Sequence, residues 1–266
     1  SLHDALPIYP IGNAGHADLV DTPDGEWYAV LLASRLVDGF HKNLGRETYI
    51  VPVVWEDGWP VMSPGSGRVE WRYPAPDLAA SPAPIRIVRE DFDAAQPGMD
   101  WIFLGTPYQE FWKINESWLT MSLLPRQMSP EQQKISFGAS EPDPTIPSLA
   151  FIGKRQTDLA YRAAARMRFS AGSENEAAGL AIVQASNHQL RLERSLSGGR
   201  QIIRLVLVTC EFNGFPFSAD FASKTTETVL ARAECSCDEL VLEIVQRGQS
   251  VDFSFGEDEH SLILLA

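Results

Sequence analysis

Two short segments carry the side chains best suited to chemistry. In Gly15-His16-Ala17-Asp18-Leu19-Val20 an extended backbone would turn His16 and Asp18 to the same side, so an imidazole and a carboxylate would share one polar site. The plain alternative is a structural histidine satisfied near a turn. Calcium prefers oxygen ligands, so His16 would serve a calcium ion through a water of its shell rather than directly. In His41-Lys42-Asn43-Leu44-Gly45-Arg46-Glu47-Thr48, Gly45 permits a close approach of backbone to ligand. Arg46 offers a planar fork of donors that suits vicinal sugar hydroxyls or a carboxylate. Its plain alternative is an exposed ion pair with Glu47 or another acid.

Other candidates are weaker. Glu90-Asp91-Phe92-Asp93 alternates carboxylates that would bind calcium or form a solvated acidic turn. Trp101, Phe103, Tyr108, Phe111, Trp112 and Trp118 would make either a sugar-stacking platform or a sandwich core. Cys235 and Cys237, two apart, would give a strained bridge and read as unpaired thiols, as does Cys210. No nucleophile elbow, phosphate loop or zinc-protease motif is present.

The elements that must hold these residues are strands. Trp27–Leu32 and Glu47–Trp55 read as strands, the first entered through the turn Thr22-Pro23-Asp24-Gly25. Pro52 places the second at an edge or bulge, and Glu56-Asp57-Gly58 turns into Trp59-Pro60-Val61. This meander is too small to bury a core alone, as is true of a propeller blade. A Pro/Ala-rich linker over 76–84 separates it, at 9–75, from a second region, 85–266. There Ala165–Phe169, Gln189–Glu193, Ile202–Thr209, Leu240–Gln246 and Val251–Phe255 read as strands of an antiparallel sandwich. Ala160–Met167 also reads as strand despite its alanines, and 257–266 as a remnant hairpin strand. The fold class is all-β. Ser1–Ile8 resembles adapter read-through and is left out of the fold reading. With no initiator Met, the start of the chain says nothing of localisation.

Composition narrows the function. The 266 residues carry a net charge of −13, with 44% hydrophobic and 21% charged residues. Lys and Arg are nowhere clustered, which argues against a nucleic-acid partner. No apolar run reaches the ~18 residues of a membrane span. A neutral sugar polymer is not repelled by such a surface.

Gly15–Val20, Gly25–Tyr28, Asn43–Thr48 and Asp57–Pro60 follow the order of motifs in the last part of the five-bladed β-propeller of family 43 glycoside hydrolases, which they resemble. Asp91–Asp93, Phe111–Ile114, Phe151–Gln156 and Ala178–Val183 are similar to the concanavalin-like jelly-roll sandwich that follows the propeller in family 43 β-xylosidases. The resemblance implies an exo-acting, inverting glycosidase of the β-xylosidase or α-L-arabinofuranosidase type, acting on xylo- or arabino-oligosaccharides in hemicellulose and xylan breakdown. It places Arg46 in the sugar pocket and His16 at the propeller axis below it, near a structural calcium ion. It requires no other cofactor and is compatible with a homo-oligomer. The family's general base, pKa-tuning Asp and general-acid Glu map upstream of Gly15, so the chain reads as cut short at both ends and inactive alone. Two rival readings are a non-catalytic carbohydrate-binding sandwich and a purely structural one.

Overall fold

The computed structural model describes residues 10–37, 41–79, 89–125, 128, 149–213 and 222–266. Ser1–Ile8 and most of the 76–84 linker lie outside them. The chain divides into two compact units, one of 1–88 with 156–159, the other of 89–155 with 160–266.

The first unit is one four-stranded antiparallel sheet, the size of a propeller blade. It comprises β1 (Ile11–Asp21), β2 (Trp27–Arg35), β3 (Glu47–Glu56) and β4 (Trp59–Met62), in the order β1-β2-β3-β4. Its turns follow from their residues. Gly25 N donates to Thr22 O at 2.9 Å with φ +83° at Gly25, and Asp57-Gly58 take φ +50° and +81°, the two-residue turn that matches strand twist. One sheet face packs Ile11, Ala29, Leu31, Ala33, Val51 and Val53, with Leu19, Trp27, Tyr49, Val69 and Tyr73 against them. The other leaves Val20, Val30, Ile50 and Val54 exposed. Apolar residues on both faces are the mark of a sheet built to be covered on both sides. β3 is an inner strand of this sheet, yet Pro52 sits where β4 ends, its carbonyl accepting from Ser63 N at 2.9 Å.

The second unit is a sandwich. Three short strands come first, β5 (Trp101–Phe103), β6 (Trp112–Asn115) and β7 (Trp118–Met121), the last two paired as a hairpin. Then come β8 (Ile152–Lys154), β9 (Ala160–Arg168), β10 (Ala177–Ala185), β11 (His188–Ser197), β12 (Arg200–Asn213), β13 (Ala222–Glu234), β14 (Glu239–Arg247), β15 (Ser250–Gly256) and β16 (Ile263–Leu264). One sheet has the order β10-β11-β12-β13, the other β16-β15-β14-β9. The inward faces meet in one core: Leu192, Ile203 and Leu205 from the first sheet, Leu240, Leu242, Ile244, Phe253 and Phe255 from the second. Strand alternation puts them there, and Arg162, Arg166 and Arg168 of β9 face outward to Glu243 and Glu239 instead.

β9 is a strand although alanine favours helix, because its alternate residues Tyr161 and Met167 pack on the core. Gly198 and Gly199, at φ +56° and +77°, turn β11 into β12. Gly179 is needed for another reason: a Cβ there would lie 2.0 Å from Leu192 O, so β10 and β11 approach too closely for any side chain. Among the described residues no helix is long and apolar enough to cross a membrane.

Candidate functional site

β1 is broken by irregularities between Gly12 and Gly15 and between Gly15 and Asp18. Asn13 and His16 there adopt φ of +56° and +51°. This corrects the extended geometry expected for His16 and Asp18, since a bulge re-aims a side chain rather than continuing the alternation. Left-handed backbone at a non-glycine residue costs about 1–3 kcal/mol and persists where surroundings impose it, commonly at functional sites. Asp18 bonds locally, its Oδ1 accepting from Leu19 N at 2.9 Å.

Arg46 is placed by a second local device. Val37 and His41 pair their backbones (2.9 and 3.0 Å), and Gly45 N then donates to Lys42 O at 2.8 Å, closing a turn with φ +70° at Gly45. Arg46 follows that turn directly, one residue before β3. The alternative reading of Arg46, an ion pair with Glu47, does not form. Glu47 is taken by Arg35, whose Nε and Nη2 each reach a different carboxylate oxygen at 2.7 Å. The same Nη2 donates to Thr157 O at 3.3 Å. The hydrogen bond to Glu47 raises the Arg35 pKa further above its ordinary value. Among the described residues Arg46 has no carboxylate partner and stays exposed.

The two devices converge. Asn13, Ala14, Gly15, His16, Ser34, Lys42, Gly45 and Arg46 line one open depression of ≈ 600 Å³. Its lining holds three basic side chains and no carboxylate, with buried Ser34 at its floor. Lys42, Asn13 and Ser34 were not singled out from sequence. Lys42 sits inside the motif already noted, but the bulge that brings Asn13 round has no sequence signature beyond Asn tolerating positive φ.

The remaining candidates resolve as structure. Glu90 accepts from Phe92 N (3.1 Å) and Trp101 Nε1 (3.4 Å), Asp91 pairs with Arg89 (2.8 Å), and Asp93 accepts from Ser117 Oγ (2.7 Å). These carboxylates are therefore directed to separate partners rather than to one ion. The described residues contain no group of three His, Cys, Asp or Glu side chains placed to hold a metal. Around His16 the same lining holds the oxygen donors Asn13 and Ser34 beside the cations Lys42 and Arg46. Phe111 is buried and meets Phe103 edge-on at 5.9 Å, while Arg168 covers the Trp118 ring at 4.2 Å. Tyr108 is the exposed member of that aromatic set.

The sequence matches the model of beta xylosidase C-terminal concanavalin A-like domains over residues 89–264 and that of glycosyl hydrolases family 43 over 2–60. The chain belongs to glycosyl hydrolases family 43. The second match takes in the depression and also most of Ser1–Ile8. A non-reducing end alpha-L-arabinofuranosidase of Bacteroides ovatus, BoGH43B, is 36% identical over 196 residues, 73% of this chain and 34% of its own. A xylosidase/arabinosidase of Butyrivibrio fibrisolvens is 31% identical over 188 residues, 69% and 33% of the two chains. The chain thus spans about a third of the length of these curated relatives. Among solved structures, the family 43 protein BlXynB of Bacillus licheniformis superposes with a TM-score of 0.79 at 24% identity, covering 98% of this chain and 46% of that one. The Xyloglucan PUL GH43B of Bacteroides ovatus gives 0.76 at 29% identity, covering 97% and 46%. The all-β architecture of family 43, propeller blade and concanavalin-like sandwich, is therefore the fold of this chain.

Proposed function

We propose that this chain is part of an exo-acting, inverting glycosidase that hydrolyses terminal xylosyl or arabinosyl bonds of hemicellulose oligosaccharides, and that His16 and Arg46 line its sugar subsite. The observation that carries the reading is their convergence, from two separate segments, on one depression whose shape depends on a bulge and a glycine turn. The names of the relatives, arabinofuranosidase and xylosidase/arabinosidase, support the substrate class. An unpaired guanidinium beside an imidazole suits the vicinal hydroxyls of a pentose. It also suits a carboxylate brought from elsewhere in the complete enzyme, whose acidity it would raise.

Inversion requires two carboxyl groups about 6.5–9.5 Å apart, and the depression is lined by none. The chain alone therefore binds without turning over. A calcium ion held through water at His16 would draw carboxylate ligands from outside this lining, which supplies none.

The test is a titration of the chain with xylobiose and with arabinobiose, followed by ligand-detected NMR, for the wild type and for Arg46→Ala and His16→Ala. Loss of the signal in both variants, with circular dichroism unchanged, is the expected result. Equal signals in all three would remove His16 and Arg46 from the sugar subsite. Release of reducing sugar by this chain above a buffer control would overturn the division between binding and catalysis.

A further inference from the structure

The connection between β13 and β14 holds two thiols over a buried cation. Cys235 Sγ and Cys237 Sγ lie 3.0 Å apart, one donating to the other, and both are free thiols. Cys235 is buried and Cys237 half-buried, so the pair is reached from the Cys237 side. Arg194 of β11, 1% exposed, donates to Cys237 O at 2.6 Å, to Cys235 O at 3.5 Å and to Gln201 Oε1 at 3.2 Å. Gln201 is tied in turn to Ala171 by both ends of its side-chain amide (2.8 and 3.1 Å), and its backbone carbonyl accepts from Cys235 N at 3.1 Å. Both cysteine backbones are thus clamped, and the side chains converge because of it. Among the described residues Arg194 has no carboxylate partner. Its charge pulls the Cys237 thiol down, against the larger effects of burial and of Cys235.

We propose that Cys235 and Cys237 are a site of reversible oxidation, closing to an intrachain disulfide. Closure to the usual ~2.05 Å needs a movement of about 1 Å along a line the clamp already sets. With an azodicarboxamide as oxidant, one thiolate adds to the N=N bond, and the second sulfur displaces the reduced nitrogen compound. Two S–H bonds are lost, one S–S bond forms, and the oxidant leaves as the hydrazine with both hydrogens. Burial, then the hydrogen bond and charge of Cys235, push the Cys237 thiol up to about 11, so Cys237 keeps its proton at neutral pH until it reacts. Such a bridge encloses one intervening residue and removes almost no chain entropy, so it adds little stability. The same short spacing strains it, and strained disulfides are the readily reduced ones. The site is therefore a reversible modification rather than a staple. Cys210, half-buried on β12, has Glu211 O as its sulfur's neighbour at 3.7 Å and serves as the internal control.

The experiment treats the whole chain with diamide, then blocks remaining thiols with iodoacetamide in urea so that buried ones react, and maps the peptides by mass spectrometry without reductant. Three alkylated cysteines are expected before oxidation, and one, Cys210, after it, with full recovery in dithiothreitol. In Cys237→Ser both remaining thiols should stay alkylatable. The native chain should close faster than the same chain in urea, because the clamp sets the geometry. Persistence of both thiols in the native wild type, or equal rates folded and unfolded, would overturn the proposal.

Discussion

Replacing Arg35 with methionine removes the cation that holds Glu47 while keeping a side chain of similar reach. The wild-type pair is bidentate at 2.7 Å on both oxygens, and both side chains are about a quarter exposed (26% and 25%). Two unit charges at ~4 Å in a medium of effective dielectric ~20 attract by about 4 kcal/mol before other costs. Desolvation and lost rotamer freedom return much of this, and exposed pairs keep under about 1 kcal/mol while charged hydrogen bonds keep about 1.5–3. Partial burial places this pair between those limits, at about 1–2 kcal/mol. A functional consequence follows as well. Glu47 loses its partner and stands next to Arg46, which turns toward it and away from the depression. If that new pair is worth about 1 kcal/mol, sugar affinity falls roughly five-fold. Urea unfolding followed by tryptophan fluorescence gives the first quantity and xylobiose titration the second. In Arg35→Met/Glu47→Gln the captor carboxylate is gone, so affinity should return while stability does not. An Arg35→Met variant with wild-type affinity, or a double variant that regains none, would refute the claim that Glu47 is kept occupied so that Arg46 stays free.

Other perturbations test the frame. Gly179→Ala puts a methyl group into the backbone of β11 and should cost about 1–3 kcal/mol in urea unfolding; a neutral result would mean that β10 sits further out. His16→Asn should keep the bulge, because Asn tolerates positive φ, whereas His16→Val should lose about 1–2 kcal/mol through its β-branch. Phe111→Ala should destabilise the second unit by about 3–5 kcal/mol, and a loss of sugar binding without a loss of stability would restore its reading as a stacking platform. Glu239 is held below its ordinary value of 4.5, chiefly by the hydrogen bond from Arg168 and also by Arg166. A depressed folded-state value stabilises above the unfolded value and is lost as pH falls. Glu239→Gln should therefore lower the urea midpoint at neutral pH, and the difference from wild type should close as the pH falls below 4.5 and through the depressed folded-state value.

Much of this molecule is written locally. Alternation set which residues of β12, β14 and β15 face the sandwich core, since successive side chains point to opposite faces of a sheet. Asp57-Gly58 and Ser197-Gly198-Gly199 announce hairpins through the φ values that only such residues accept cheaply. β13 was not legible because its stretch from Lys224 to Glu234 is polar at an exposed edge, and β10 because its Ala and Gly residues carry little strand signal. Both strands exist because a neighbour offers them a ladder. The motif residues His16 and Arg46 were legible as types, from the order of four short motifs. Where they point was not, because direction depends on a bulge in β1 and on which arginine Glu47 selects. Arg35 lies twelve residues from Glu47 in sequence and opposite its end of the sheet in space. That pairing, like the clamp of Arg194 under two cysteines, is a contact between segments, and nothing in either segment alone encodes it. The sequence determined strands, turns and family membership because these rest on residue type and short-range spacing. Tertiary structure decided which charges stay free, because a carboxylate goes to whichever cation the sheet brings within reach.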